Sequence, residues 1–295
     1  MGSQSLTAPP PALPPRATRR RPVSIRGSLR ELVQARELTV NLVRRDLKVE
    51  HRGTFLGMLW SLATPLLLVA LYYVVFKFII GAHPAVDKPR PDGNDVPFAL
   101  YFFAGLTVWN LFSNSLSRST TSVTSSGYLL RKVYLPKAIL PLASVLSSLV
   151  TFAFEFVVLM VAVLLVVGPP SAQLLWAPAI VAVALVMAYG LALLLSAVNV
   201  FLRDTAHFIG ILLQLWFWAT PVIYSLQFVA KNPGVATLLK LNPMTGVVVS
   251  LRNVTLLDRG PELGLLAGDL GFALIALAVG AVVFNRSQRL FAELV

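Results

Sequence analysis

The feature that most constrains the fold of this chain is a series of apolar segments, each long enough to cross a lipid bilayer. A bilayer core about 30 Å thick requires roughly 20 apolar residues in an α-helix. Six segments meet this length, at residues 55–80, 98–117, 139–167, 174–200, 208–226 and 263–284. The sequence therefore predicts an all-α polytopic membrane protein with six transmembrane helices in a domain of residues 55–284.

The composition favours the same class. Hydrophobic residues make up 56% of the chain and charged residues 13%, whereas about 25% of the residues of soluble domains are charged. The formal net charge of +12 does not indicate nucleic-acid binding, because the basic residues lie mostly before residue 55 and in short loops between apolar segments. The chain has no cysteine, which excludes disulfides, thiolate catalysis and cysteine-based zinc sites.

The distribution of Lys and Arg predicts the orientation in the membrane. Eighteen basic residues fall on one side of the predicted spans and six on the other, with Lys77 at a boundary. The side richer in Lys and Arg is normally cytoplasmic. We therefore expect a multi-pass protein of the plasma membrane with both termini in the cytoplasm and a cytoplasmic tail of residues 285–295.

The residues before the first span divide into two parts. Residues 1–27 are rich in Pro, Arg and Ser, a composition typical of a disordered basic cytoplasmic tail. Residues 28–51 carry apolar side chains at helical spacing, and Ser28 followed by Glu31 matches a capping box. This segment predicts an amphipathic helix in the membrane interface, with a surface helix of a soluble domain as the alternative.

The sequence contains no recognisable catalytic motif. GxxxxGK[ST], HExxH and GxSxG are all absent, and the three histidines are scattered along the chain. We therefore expect no catalytic residue and no metal site, and an energy source that lies on another polypeptide.

Glu155 is an acidic residue well inside a predicted span. A carboxylate at that depth is costly unless it faces the bundle interior and has a partner. Two interpretations remain open: a contact in a substrate pathway or gate, and a structural bond to a neighbouring helix.

Aromatic residues are frequent at the ends of the predicted spans. One interpretation is an interfacial aromatic belt; the other is a conduit whose rings stack against sugars. With Glu155, the candidate pathway residues are Trp60, Tyr72, Phe102, Trp109, Trp216, Trp218 and Tyr224.

Three segments between the predicted spans have features that a simple connecting loop does not require. Between Pro136 and the second span, residues 129–134 predict a short helix presented to a cytoplasmic partner, or else a plain basic loop. Arg203 and Asp204 form a second tight cytoplasmic turn. Residues 243–257 are semi-apolar and too short for a span, which predicts re-entrant or interfacial external helices between spans 5 and 6.

Four segments together resemble the membrane subunit of ABC-2-type polysaccharide exporters, which move O-antigen, teichoic acid and galactan chains. They are LVRRDLKVEHRGTFLGMLWSLATPLL, LLRKVYLPKAILPL, FLRDTAHF with FWATPVIY, and LNPMTGVVVSLR, and they occur in the order and spacing of that family. The sequence is most similar to the actinobacterial branch, whose substrate is lipid-linked galactan.

The resemblance implies a homodimer of six-span subunits with two nucleotide-binding ATPase subunits, which would bind ATP and Mg; this chain itself would hold no cofactor. It implies an external gate that includes Asn242, Pro243 and Arg252. It also implies coupling elements that dock on the ATPases, comprising Leu129, Leu130, Arg131, Lys132, Tyr134, Arg203 and Asp204.

Three other functions remain as alternatives to export of a lipid-linked polysaccharide. The same fold could export small lipophilic compounds such as drugs or antibiotics. An integral-membrane enzyme of lipid-glycan assembly would need convergent acids, but Glu155 and Asp269 lie on different spans. A pure assembly scaffold would explain neither the acid inside a span nor the broken external segment.

Overall fold

The computed structural model describes residues 36–50, 60–75, 96–132, 135–229 and 232–294. Throughout these ranges the regular secondary structure is helical, so the predicted all-α class is confirmed. The predicted tail of residues 1–27 and the capping residues Ser28 and Glu31 lie outside the described residues.

Twelve α-helices, numbered here in chain order, and two short 3₁₀ turns make up the described part of the chain. The α-helices are α1 (Arg36–Glu50), α2 (Trp60–Val74), α3 (Phe98–Ser122), α4 (Gly127–Lys132), α5 (Ile139–Val166), α6 (Ala177–Phe201), α7 (Thr205–Trp218), α8 (Leu226–Val229), α9 (Pro233–Leu241), α10 (Thr245–Leu256), α11 (Leu263–Ser287) and α12 (Phe291–Leu294). The 3₁₀ turns are Thr124–Ser126 and Ala172–Trp176.

Three of these helical segments are long and apolar enough to cross a membrane: α5, α6 with its preceding 3₁₀ turn, and α11. Their large apolar side chains remain partly exposed, as lipid-facing surfaces require; examples are Leu165, Ile275 and Val157. The chain is therefore built as a multi-pass membrane protein, while the count of six spans stays a prediction.

The fifth predicted span, residues 208–226, is wrong in its extent. Helix α7 has 14 residues, which is about 21 Å at 1.5 Å per residue and short of the bilayer core. It ends at Trp218 because Pro221 lacks an N–H and disfavours helical backbone at Thr220. The chain turns there and enters the short helices α8 and α9.

The tightest helix contact joins α6 to α11. Gly190 and Gly280 face each other so closely that a Cβ at position 280 would overlap the Gly190 carbonyl oxygen and lie 3.3 Å from Leu193 Cβ. Small residues at such a crossing let two backbones approach, which is how helices associate in membranes. Helices α3 and α5 pack against each other and against α6 to complete the bundle.

A second apolar cluster holds the two peripheral elements at one end of the bundle. Leu42 of α1 packs there with Phe284 and Phe291. Lys137 Nζ donates to the Gln288 carbonyl oxygen at 2.5 Å, which joins the start of α5 to the end of α11, and burial lowers the pKa of Lys137. Helices α1 and α12 are therefore fixed to the same end of the protein.

The glycine contact gives a matched pair of variants on one helix. Gly280→Ala should destabilise the protein by about 1–3 kcal/mol because the methyl group overpacks the α6–α11 crossing. Gly271→Ala, where nothing lies within 4 Å of the added Cβ, should be neutral or raise stability by up to about 1 kcal/mol through helix propensity. Thermal unfolding of the purified protein measures both; a Gly280→Ala protein as stable as Gly271→Ala would contradict this packing.

Candidate functional site

Helices α9 and α10 form a pair bent by 89° at a break around Pro243. Proline at this position cannot donate an i→i−4 hydrogen bond, so one helix cannot continue into the next. Such a break exposes backbone groups that a membrane environment cannot satisfy. The pair has the shape of the predicted re-entrant segment, and its stability depends on partners supplied by other helices.

Asn242 supplies the first of these partners at the break itself. Its Oδ1 accepts hydrogen bonds from Trp216 Nε1 at 2.9 Å and from the Met244 N–H at 3.1 Å. Its Nδ2 donates to the Ala219 carbonyl oxygen at 2.8 Å and to Thr220 Oγ1 at 2.9 Å. One amide side chain therefore joins the break to the end of α7.

Asp269 on α11 holds the beginning of α10. Its Oδ2 accepts a hydrogen bond from the Val247 N–H at 2.7 Å, and the carboxyl also accepts from the Gly246 N–H. A carboxylate on the first N–H groups of a helix satisfies donors that have no partner within the helix. Gly246 permits this approach, because a Cβ there would lie 2.6 Å from Asp269 Oδ2.

Arg252 fixes the other half of α10. Its side chain is 1% exposed, and its guanidinium lies 3.9 Å from the centre of the Tyr101 ring. It donates to the Tyr101 carbonyl oxygen at 2.9 Å, to the Pro221 carbonyl oxygen at 2.6 Å and to the Val222 carbonyl oxygen. A buried cation is costly unless it is hydrogen-bonded. All three acceptors lie outside α10: Tyr101 belongs to α3, and Pro221 and Val222 belong to the turn after α7.

Asn242, Asp269 and Arg252 together are named the hinge anchors here, since they tie α9 and α10 to α3, α7 and α11. The sequence had singled out Asn242, Pro243 and Arg252 as external gate residues, and the structure brings all three to the bent pair. Arg252 is also one of the six basic residues that the distribution of Lys and Arg assigns to loops on the external side. Its side chain is instead buried inside the protein.

Glu155 is the acid predicted to face the bundle interior, and it is 2% exposed. Asn110 of α3 donates through Nδ2 to both carboxyl oxygens of Glu155 at 3.3 Å. The partner that the sequence required is therefore a neutral amide on the neighbouring helix, and the contact joins α3 to α5.

The aromatic pathway candidates differ in how far they are exposed. Phe102 and Trp109 are buried in the core, and Trp216 and Tyr224 are partly buried. Trp60 and Trp218 are 45% and 52% exposed. The side chain of Tyr72 lies outside the described residues.

Buried and partly buried aromatic side chains pack on one another where α3 meets α7. Trp109 meets Phe217 and Phe112 meets Trp216 edge to face, with ring centres 5.6 and 5.2 Å apart. This cluster stabilises the α3–α7 contact, as edge-to-face pairs do.

The coupling candidates lie at the end of the bundle that carries α1 and α12. Leu129, Leu130, Arg131 and Lys132 belong to α4, whereas Tyr134 and the side chain of Arg131 lie outside the described residues. Leu129 and Leu130 pack against the second apolar cluster, and Lys132 is exposed and donates to Tyr128 Oη at 2.6 Å.

The two candidate coupling segments are close in space. Asn199 Nδ2 donates to Thr124 Oγ1 at 3.3 Å, and these residues come just before the exposed turn of Arg203 and Asp204 and just before α4, respectively. The structure therefore presents α4 and that turn on one surface.

Sequence reasoning missed Asp269 and Asn110 as site residues. Each is a polar residue next to apolar ones within a helix, but their partners lie 22 and 45 residues away in the chain. Among the residues that the structure describes, no group of three acidic or histidine side chains could hold a metal ion.

The comparisons with known proteins agree with these observations. The ABC-2 type transporter family matches residues 37–256, which cover α1 and the helices from α2 to the bent pair and end before α11. The chain belongs to the ABC-2 type transporter family. Permeases named for O-antigen export are similar to this chain over nearly their whole length.

Two such relatives carry the same name. The O-antigen export system permease protein RfbA of Myxococcus xanthus is 30% identical over 265 residues, which is 90% of this chain and 98% of the relative. The protein of that name from Klebsiella pneumoniae is 25% identical over 268 residues, covering 88% of this chain and 95% of the relative. This ABC-2 protein is accordingly a multi-pass membrane permease.

The hinge anchors predict a large effect for one substitution. Arg252→Met fills similar space but leaves three buried carbonyl groups without their donor, and each such loss costs about 1–3 kcal/mol. A loss of about 3 kcal/mol should lower the melting temperature by roughly 6 °C or more. Arg252→Lys should lie between the wild type and Arg252→Met because it keeps the charge but not the planar fork.

The control is Arg286→Met, which removes an exposed guanidinium near the end of α11 and should change stability by less than about 1 kcal/mol. Equal melting temperatures for the two methionine variants would show that Arg252 does not anchor the bent pair.

Proposed function

We propose that this chain is the membrane-spanning subunit of an ATP-driven exporter that moves a lipid-linked polysaccharide across the plasma membrane. The observation that carries this proposal is the near full-length similarity to O-antigen export permeases, which extends over 98% of the Myxococcus xanthus protein. A similarity of that extent includes the interfacial helix, the bundle and the bent pair, rather than an isolated motif.

A separate ATPase subunit supplies the energy in this proposal. The chain has no phosphate-binding loop of the Walker type, so ATP and Mg bind to the partner. The surface formed by α4 and the Arg203–Asp204 turn offers exposed charged groups of both signs, together with Tyr128, which is 73% exposed. A cytoplasmic protein binds such a surface through ion pairs and apolar contacts.

The packing suggests how motion at that surface would reach the bent pair. Helix α6 ends at the Arg203–Asp204 turn and meets α11 through the close Gly190–Gly280 contact. Helix α11 in turn holds the first turn of α10 through Asp269. A shift of α6 would therefore move α11 as a packed unit, and α11 would pull on the hinge anchors.

The substrate path in this proposal runs between two copies of the chain. Phe102 and Trp109 are buried within one protomer, whereas the rings of Trp60 and Trp218 are 45% and 52% exposed. Flat aromatic contacts with few directional hydrogen bonds permit a sugar chain to slide between successive positions. The resemblance to the actinobacterial branch favours galactan as the polymer. The excess of Lys and Arg on one side of the predicted spans favours a cytoplasmic position for both termini.

Depletion of this protein in its own organism tests the proposal. A long lipid-linked glycan should accumulate in the cytoplasmic leaflet within a few generations, since synthesis continues while export stops. Extraction of lipid-linked glycans with sugar analysis measures the amount and names the polymer, and re-expression of the wild-type chain should reverse the effect.

Two other outcomes would contradict the proposal. Unchanged glycan amount and leaflet distribution would favour export of a small lipophilic compound. Arrest of synthesis at a short intermediate would favour an enzyme of glycan assembly.

A further inference from the structure

A groove lies between helix α1 and the end of the bundle formed by α3 and α5. Its volume is about 530 Å³, within the range of about 300–1,000 Å³ that is typical of small-molecule sites. The wall from α1 includes Leu42 and Arg45, and the bundle contributes Arg118, Ser126 and Ser144. None of these residues has a part in the hinge anchors or in the candidate coupling segments.

The charge of the groove favours an anion. Arg45 and Arg118 line it from opposite sides, with Asp46 as the acidic residue among its lining side chains. Arg45 donates to Asp46 Oδ1 at 2.9 Å, which occupies part of its guanidinium. Arg44 and Lys48 line an adjoining groove on α1, so the local field is positive. Guanidinium groups are the preferred donors to phosphate oxygens.

Ser126 gives an independent indication of a ligand. Its side chain is 4% exposed, and its Oγ has no hydrogen-bond partner among the residues that the structure describes. A buried hydroxyl without a partner is costly, and such groups call for an explanation such as a bound molecule. Ser126 is also one of the residues that line the groove, so its hydroxyl is a candidate donor to a phosphate oxygen.

Three other hydroxyl groups that line the groove already donate their hydrogen within the protein. Thr121 and Ser122 donate to the carbonyl oxygens of Arg118 and Ser119, and Ser125 donates to that of Ser122. Since each hydroxyl has a single hydrogen, the oxygens of these side chains can only accept from a ligand. The groove therefore combines donors for an anion with acceptors for hydroxyl groups.

We propose that this groove binds a phosphate head group that carries hydroxyl groups, as in a polyol-phosphate or sugar-phosphate lipid. The phosphate oxygens accept from Arg45, Arg118 and Ser126, and the ligand hydroxyls donate to the accepting oxygens of Thr121, Ser122 and Ser125. The apolar side chains of Leu42, Val49 and Leu140 in the same wall accommodate the start of a lipid chain. The chemistry is common to bulk anionic phospholipid and to a polyprenyl diphosphate sugar, and it does not depend on the polysaccharide proposed above.

Binding to the purified full-length chain tests this site. The probes are short-chain phosphatidylglycerol, phosphatidylcholine with the same chains, and a short polyprenyl diphosphate sugar, measured by microscale thermophoresis in detergent. We expect phosphatidylglycerol to bind at least tenfold more tightly than phosphatidylcholine, which has a phosphate but no hydroxyl donor. Arg118→Gln should weaken binding by about tenfold or more, as expected for loss of a charge-assisted hydrogen bond.

Ser126→Ala should weaken binding by about threefold or more. This variant removes a hydroxyl without breaking a bond to another described residue, so it separates ligand binding from folding. The control Arg286→Gln removes an exposed charge outside the groove and should bind like the wild type. Tighter binding of the diphosphate sugar than of phosphatidylglycerol would identify the glycan carrier as the ligand, and the reverse order would identify bulk lipid.

The proposal is overturned if phosphatidylglycerol and phosphatidylcholine bind equally, or if Arg118→Gln and Ser126→Ala both retain the wild-type affinity. Either result would leave the proposed export function untouched, because that function is tested by glycan accumulation in cells.

Discussion

The structure depends on the need to satisfy the backbone of a helix that breaks inside a membrane protein. The 89° bend between α9 and α10 leaves helix ends that lipid cannot hydrogen-bond, and side chains from the same region fill that need. Asn242 bonds the break to the end of α7, Asp269 holds the first turn of α10, and Arg252 bonds to carbonyl groups of α3 and of the turn after α7. Each bond also joins two elements that are distant in sequence, so the groups that stabilise the bend determine where it lies in the bundle.

The packed helices of the bundle hold the hinge anchors in place. They also connect the hinge anchors to the end of the protein that carries α4. The Gly190–Gly280 contact packs α6 against α11 at backbone distance, and α11 carries Asp269 to the bent pair. Helix α6 ends at the turn of Arg203 and Asp204, beside the short helix α4. In the proposed mechanism, force passes from a cytoplasmic ATPase to groups deep in the membrane, and packed helices with few voids transmit displacement well. The proposed mechanism uses this connection. The groove beside α1, which we propose binds a lipid phosphate, lies at the same end of the protein as α4.

The sequence predicted those parts of the fold that follow from local physics. Apolar length gave the helices of the bundle, and the position of Glu155 required an interior partner, which is Asn110. Pro243 predicted the break after α9. Pro221 carries a similar signal, but the fifth predicted span continued past it to residue 226 and was therefore too long. Arg252 was named only through the family resemblance, and Asp269 was not assigned to the site, because the contacts of both depend on partners brought together by the whole fold. From sequence, Arg252 is indistinguishable from an exposed charge in a loop, because the carbonyl groups that accept its hydrogen bonds come from distant segments.

The measurement that tests the central claim most directly is ATP-dependent export by the purified chain and its ATPase subunits in vesicles that contain lipid-linked polysaccharide. Appearance of the glycan on the far side is followed with a membrane-impermeant lectin, alongside ATP hydrolysis. We predict export by the wild type and by Lys240→Glu, which reverses an exposed charge on the predicted external side, whereas Lys132→Glu on α4 should hydrolyse ATP without export. Absence of ATP-dependent export by the wild type, or full export by Lys132→Glu, would contradict the account.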